Sequence, residues 1–146
     1  MKKGFTLIEL LAVIAILAVL AIVAVPSVIN MYKDAKQKTF VTQAKNIYKG
    51  AESKYMSDQL DPATAGARTY CHDAATGNDA TETKLDLSGN KNVYYKITIS
   101  ASGNVTAFQV LDGNTYSITK TGSDAAPINA TDLTATDGVT VTSMSC

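Results

Sequence analysis

The chain has 146 residues, a length that fits one compact domain plus an appendage. Hydrophobic residues make up 46% of it, and 13 lysines and arginines balance 13 aspartates and glutamates to a formal net charge of zero. With no basic block and no basic excess, a general nucleic-acid binder is disfavoured.

The hydrophobic content is unevenly spread. Met1-Lys-Lys-Gly4 is a short basic start, and residues 5–29 are then almost entirely apolar. From Leu10 to Val25 sixteen residues pass without a polar side chain. Counted from Phe5 to Val25 the run is 21 residues, which at about 1.5 Å per residue spans a hydrocarbon core of ~30 Å. Lys2 and Lys3 on the N-terminal flank predict a cytoplasmic N-terminus and an external C-terminal part. The run is too long for an ordinary secretory signal, and Pro26-Ser27-Val28 offers no small-residue cleavage pattern after it. A plain membrane anchor fits the length but leaves Glu9 unexplained. A carboxylate one turn into an apolar helix is costly in lipid, so it either snorkels to the headgroups or has a partner.

Gly4-Phe5-Thr6-Leu7-Ile8-Glu9, preceded by lysines and followed by the apolar run, resembles the processing site of type IV pilins and related pseudopilins. The detailed likeness covers roughly residues 1–57, and the remainder resembles the family only in architecture. The resemblance implies that residues 1–4 are a leader, removed on the cytoplasmic side by a membrane aspartyl prepilin peptidase between Gly4 and Phe5. It implies N-methylation of the new Phe5 amine by the same enzyme. Glu9 would then pair with the Phe5 amine of a neighbouring subunit, setting register within the fibre. Two opposite charges leaving water together have only each other for compensation, which agrees with that role. In the resembled family a proline near position 26 lies in a segment able to unwind in the filament; read by itself, Pro26 bends the helix or marks the end of the membrane segment.

Past Pro26 the helical period persists. Tyr32, Phe40, Ala44, Ile47, Ala51 and Tyr55 fall near a 3.6-residue repeat, Tyr48 widens the stripe, and Lys36, Lys38, Gln43, Lys45, Lys49 and Glu52 fill the other positions. Ser57-Asp58 and Asp61-Pro62 read as the exit. The expectation is one helix over 5–57, about 80 Å long, apolar all round over 5–29 and amphipathic over 30–57. A head of some 90 residues cannot bury the first half, which needs a membrane before assembly and other copies of itself afterwards.

The head is expected over residues 30–146. Residues 58–92, rich in Asp, Thr, Ala, Gly and Asn, read as a long loop, a length at which a functional segment or a hidden element is usual. Val93–Ser100 alternates Val93, Tyr95, Ile97 and Ile99 against Tyr94, Lys96, Thr98 and Ser100. Val105–Leu111 follows the turn Ser102-Gly-Asn104, and Thr115–Lys120 follows Asp112-Gly-Asn114. The region 93–120 is therefore expected to be an antiparallel meander packed on the amphipathic half of the helix. One more strand candidate, Gly138–Thr142, lies in the C-terminal region 121–146. The fold class is α+β: a long N-terminal helix on a small antiparallel sheet of three to four strands, like a type IV pilin.

Cys71 and Cys146 lie outside the apolar segment. In an oxidising compartment they form one disulfide, worth roughly 4 kcal/mol in the chain-entropy model. In a reducing one they are two thiols. His72 is the only histidine, and Cys71, His72 and Asp73, being adjacent, cannot converge on one metal ion. Asp73, Asn78, Asp79 and Glu82 are not spaced as an EF-hand loop, and no Ser/His/Asp arrangement is recoverable. Asn104-Val-Thr106 and Asn129-Ala-Thr131 match the glycosylation sequon, with no meaning expected in a bacterial-type pilin.

No catalytic residue, cofactor or metal is expected, and an anchored enzyme lacks a site. The leading expectation is a structural subunit of a type IV pilus-like extracellular filament serving adhesion, motility or aggregation. The alternative is a pseudopilin or competence pilin of a type II secretion or DNA-uptake machine. After Ser57 the basic residues are Arg68, Lys84, Lys91, Lys96 and Lys120, outnumbered by acids, which disfavours DNA binding. The resemblance further implies other pilins, an assembly platform and an ATPase as partners. It implies a single-pass precursor in the cytoplasmic membrane that becomes a cell-surface filament.

Overall fold

A computed structural model describes residues 4–73, 84–85, 93–113, 115–137 and 146. Strand candidate 138–142 and most of 74–92 lie outside the described residues. One helix, α1, runs without interruption over Leu7–Asp58 and contains Pro26. Proline there removes one backbone donor, yet the helical backbone continues on both sides. The chain divides into two compact units, residues 1–36 and 37–146.

Every described residue of the first unit is exposed, including Leu10, Ile16 and Val23. Tyr32 shares this exposure: it lies on the helical stripe by period but is 61% exposed, with Lys36 Nζ 4.7 Å above its ring. Burial along α1 begins only at Phe40. At Tyr32 a cation on the aromatic face stands in place of core packing.

In the second unit α1 buries Phe40, Ala44, Ile47, Tyr48, Ala51 and Tyr55 against an antiparallel sheet. Its strands are β1 (Arg68–His72), β2 (Tyr94–Ile99), β3 (Val105–Leu111), β4 (Tyr116–Thr121) and the two-residue β5 (Thr136–Asp137), paired in chain order. β2 buries Tyr95, Ile97 and Ile99 as its alternation predicts. β3 departs from strict alternation, since Val105 and Phe108 are three apart yet both buried. A register shift resolves this: Thr98 opposes Ala107 while Ile99 opposes Val105, so Thr106 is the extra residue of a bulge. The turn between β3 and β4 is closed by Asp112, whose Oδ1 accepts from the backbone N–H of Thr115 (2.7 Å) and Tyr116 (2.9 Å). Gly113 takes φ +78° there, where an added Cβ would meet the Tyr94 ring at 3.2 Å.

Two elements correct the expectation for the head. β1 is a strand inside the segment 58–92 expected to be a loop. It has one large apolar residue, Tyr70, and takes its strand form from pairing with β2, Tyr70 opposite Ile97. The second is a short 3₁₀ turn, Ala130–Asp132, which no periodicity announces; it is held by a bond from Asn129 N–H to Asp132 Oδ2 of 3.0 Å.

Candidate assembly and processing site

The N-terminal site is built on the first turn of α1. Gly4, Phe5 and Thr6 precede the helix in exposed, non-helical chain. Nothing lies within 4 Å of the place a Gly4 Cβ would occupy. Phe5 is 90% exposed. The Gly4–Phe5 peptide thus has the open surroundings that a protease needs.

Thr6 is the N-cap and Glu9 the third helical residue, and the two form a reciprocal capping box. Glu9 Oε2 accepts from Thr6 N–H at 2.9 Å and from Thr6 Oγ1 at 2.7 Å. Thr6 Oγ1 in turn accepts from Glu9 N–H at 3.4 Å. A carboxylate in the first turn also lies favourably at the positive end of the helix dipole. Glu9 is therefore partnered within its own chain, a third arrangement beside snorkelling and pairing between subunits. The signal was available in the sequence as Thr6-x-x-Glu9 ahead of an apolar run, the usual form of a capping box.

From Leu7 onward α1 is long and apolar enough to cross a membrane. Leu7, Ile8, Leu11, Leu17, Leu20 and Ile22 are all exposed. A continuous apolar surface of this extent marks contact with lipid or with other protein. Pro26 lies within it, inside unbroken helix.

In the second unit, Cys71 and Cys146 are joined by a disulfide, with sulphurs 1.98 Å and Cα atoms 5.7 Å apart. Tyr70 on β1 points with Ile97 toward the helix, so its neighbour Cys71 lies on the opposite face, where it is buried. The chain's last residue is thereby tied to the edge strand of the sheet. His72 sits against Tyr95, ring centroids 5.6 Å apart. Among the described residues no three His, Cys, Asp or Glu side chains converge in a way that could hold a metal ion.

Tyrosine hydroxyls connect the helix to the head. Tyr48 donates to Ile128 O (2.7 Å), and Tyr55 donates to Ser100 O (2.9 Å). Burial and the nearby charges of Glu52 and Asp132 push the Tyr48 hydroxyl up to about 12. At the end of α1, Asp58 accepts from Lys54 Nζ (2.6 Å) and from the Tyr70 hydroxyl (2.8 Å). Burial pushes the Asp58 carboxyl up. The two hydrogen bonds and the charges of Lys54 and Arg68 outweigh it and hold the group below its ordinary value. Tyr70 is pushed well up by burial and by its bond to Asp58.

Residues 1–25 match the family model of the prokaryotic N-terminal methylation motif, the prepilin signal of type IV pilins and pseudopilins. No curated protein matches the chain, and no solved structure does. The motif supports a type IV pilin-like or pseudopilin protein, with processing by a prepilin peptidase and assembly with other pilins.

Proposed function

We propose that this chain is a structural subunit of a type IV pilus-like extracellular filament. It enters the cytoplasmic membrane as a single-pass precursor with its N-terminus in the cytoplasm. A membrane aspartyl prepilin peptidase cuts Gly4–Phe5 and methylates the Phe5 amine. The assembly platform and its ATPase then transfer the apolar half of α1 from lipid into a bundle of its own copies, and Glu9 sets the register of each arrival. The filament serves adhesion, motility or aggregation, and the subunit itself does no chemistry.

The observation that carries this reading is that the methylation motif at residues 1–25 includes the start of a helix whose apolar residues, from Leu7 to Ile29, are all exposed. Exposed leucines and isoleucines exchange a bilayer for neighbouring helices at little cost, since both surroundings are apolar. The capping box supports the role of Glu9. Both of its acceptor bonds end on Oε2, and the other oxygen, Oε1, takes the Phe5 amine of the adjacent subunit. The disulfide that anchors the last residue supports a head built to persist outside the cell, where such bonds survive.

The test is a Glu9→Val variant expressed beside the wild type in the native host. The precursor should reach the membrane in equal amount, while electron microscopy of material sheared from the cells should show wild-type filaments and none from the variant. Normal variant filaments would refute the register role, and an absence of wild-type surface filaments would favour the secretion or uptake apparatus instead.

A further inference from the structure

Formal charge is divided unevenly along the chain. Over residues 30–57 six lysines face two acids, Asp34 and Glu52, a net of +4. Over residues 58–146 five basic residues face ten acidic ones, a net of −5. A chain neutral overall therefore joins a cationic helix to an anionic head.

The cationic side is ordered. The packed face of α1 carries Phe40, Ala44, Ile47, Tyr48, Ala51 and Tyr55. Lys38, Lys45 and Lys49, at spacings of seven and four, fall together on the other side, in line with exposed Thr42 and Met56. Lys38 and Lys49 are exposed and Lys45 is half-buried. They stand about 10 Å and about 6 Å apart along the axis. Lys45 and Lys49, one turn apart, repel each other. Among the described residues Lys54 pairs with Asp58 on this helix, and none of the three stripe lysines forms an ion pair. Two acids lie one turn away by period: Asp34, four residues before Lys38, forms no ion pair with it, and Glu52, three residues after Lys49, acts on the Tyr48 hydroxyl. On the anionic side Asp61, Asp124 and Asp132 are exposed.

We infer that the Lys38–Lys45–Lys49 stripe is a docking surface for the acidic head of a second copy of this chain. The inference rests on the filament reading above and adds to it a second contact, outside the apolar bundle. The partner is chosen by charge complementarity: each copy carries a basic face on its helix and a net charge of −5 over residues 58–146, where Asp61, Asp124 and Asp132 are exposed. A basic patch that binds an acidic patch located elsewhere on the same molecule makes a head-to-tail contact. Such a contact leaves an unused basic face at one end and an unused acidic face at the other, so it propagates rather than closes. Like charges brought together by wrong registers repel, which gives the stripe a part in alignment as well as attraction.

The experiment compares the full chain, in its native host, as wild type, as the triple reversal K38E/K45E/K49E and as the charge-preserving K38R/K45R/K49R. Disulfide formation and membrane insertion of each precursor report folding. The reversal should leave both unchanged and lower the yield of sheared filaments about tenfold or more, with the arginine variant near wild type. Wild-type filaments should also release subunits as salt rises from about 0.1 M to about 1 M, because exposed charges are screened over that range. Equal filament yield from the reversal overturns the inference. So does normal assembly combined with lost binding to vesicles of anionic phospholipid, which would assign the stripe to a lipid surface. An absence of wild-type filaments would instead defeat the filament reading itself, so the two failures are distinguishable.

Discussion

Asp58 is the residue on which the end of α1 and the edge of the sheet meet. Its side chain is 11% exposed and takes bonds from Lys54 and Tyr70. Its folded value lies below the ordinary one, so its contribution is present above the ordinary carboxylate range and is lost as pH falls through the folded value. Tyr70 is shifted the other way, so its contribution is complete below the ordinary phenol range and is lost as pH rises through the folded value. The bond should therefore contribute steadily between about pH 4 and about pH 10 and fade on both sides. Tyr70→Phe should cost about 1–2 kcal/mol in that window. Thermal melts of both proteins across pH should converge at the extremes; a constant difference at every pH would contradict the assignment. None of this was legible in sequence, because Asp58 reads only as a helix exit and Tyr70 stands within a polar segment. Glu9 is the opposite case. Its position in an apolar run singled it out at once, and only its Thr6 partner was overlooked.

At the scale of elements, legibility followed the strength of the period. The amphipathic half of α1 and strand β2 were readable because each repeats large apolar residues at its own spacing, and β3 and β4 because the turns Ser102-Gly-Asn104 and Asp112-Gly-Asn114 set them off. The bulge at Thr106 was not readable, since it shows only as a phase slip between Val105 and Phe108. β1 was missed for a related reason. Its strand form comes from hydrogen bonds to β2 and from a Thr69–Thr98 hydroxyl contact of 3.2 Å, which local composition does not report. On the face of α1 that packs against the sheet, Ala44 and Ala51 are both 0% exposed. Ala51→Leu should force that packing apart and destabilise the head by about 1–3 kcal/mol. Calorimetry of the variant in detergent would measure it as a lowered melting temperature, and an unchanged or raised value would mean that the site has room to spare.

At the scale of the whole molecule, two solvents account for the two units. In the first unit the run over residues 5–29 presents an apolar surface that water does not tolerate, whereas residues 37–146 bury their own core and close it with one disulfide. Cys71 and Cys146 are 75 positions apart, so opening the bridge releases a long loop in the unfolded chain, an effect of about 4 kcal/mol in the chain-entropy model. Cys71→Ser should lower the thermal stability of the head markedly while leaving membrane insertion intact; equal melting of oxidised and variant protein would remove the disulfide from the account. The first unit makes a more direct claim, that its apolar helix survives processing and begins at Phe5. Intact-mass spectrometry of filament protein tests it. The mass should equal residues 5–146 with one disulfide and one added methyl group, located on the Phe5 amine by fragmentation, whereas a subunit still beginning at Met1, or one cut beyond the apolar run, would contradict it.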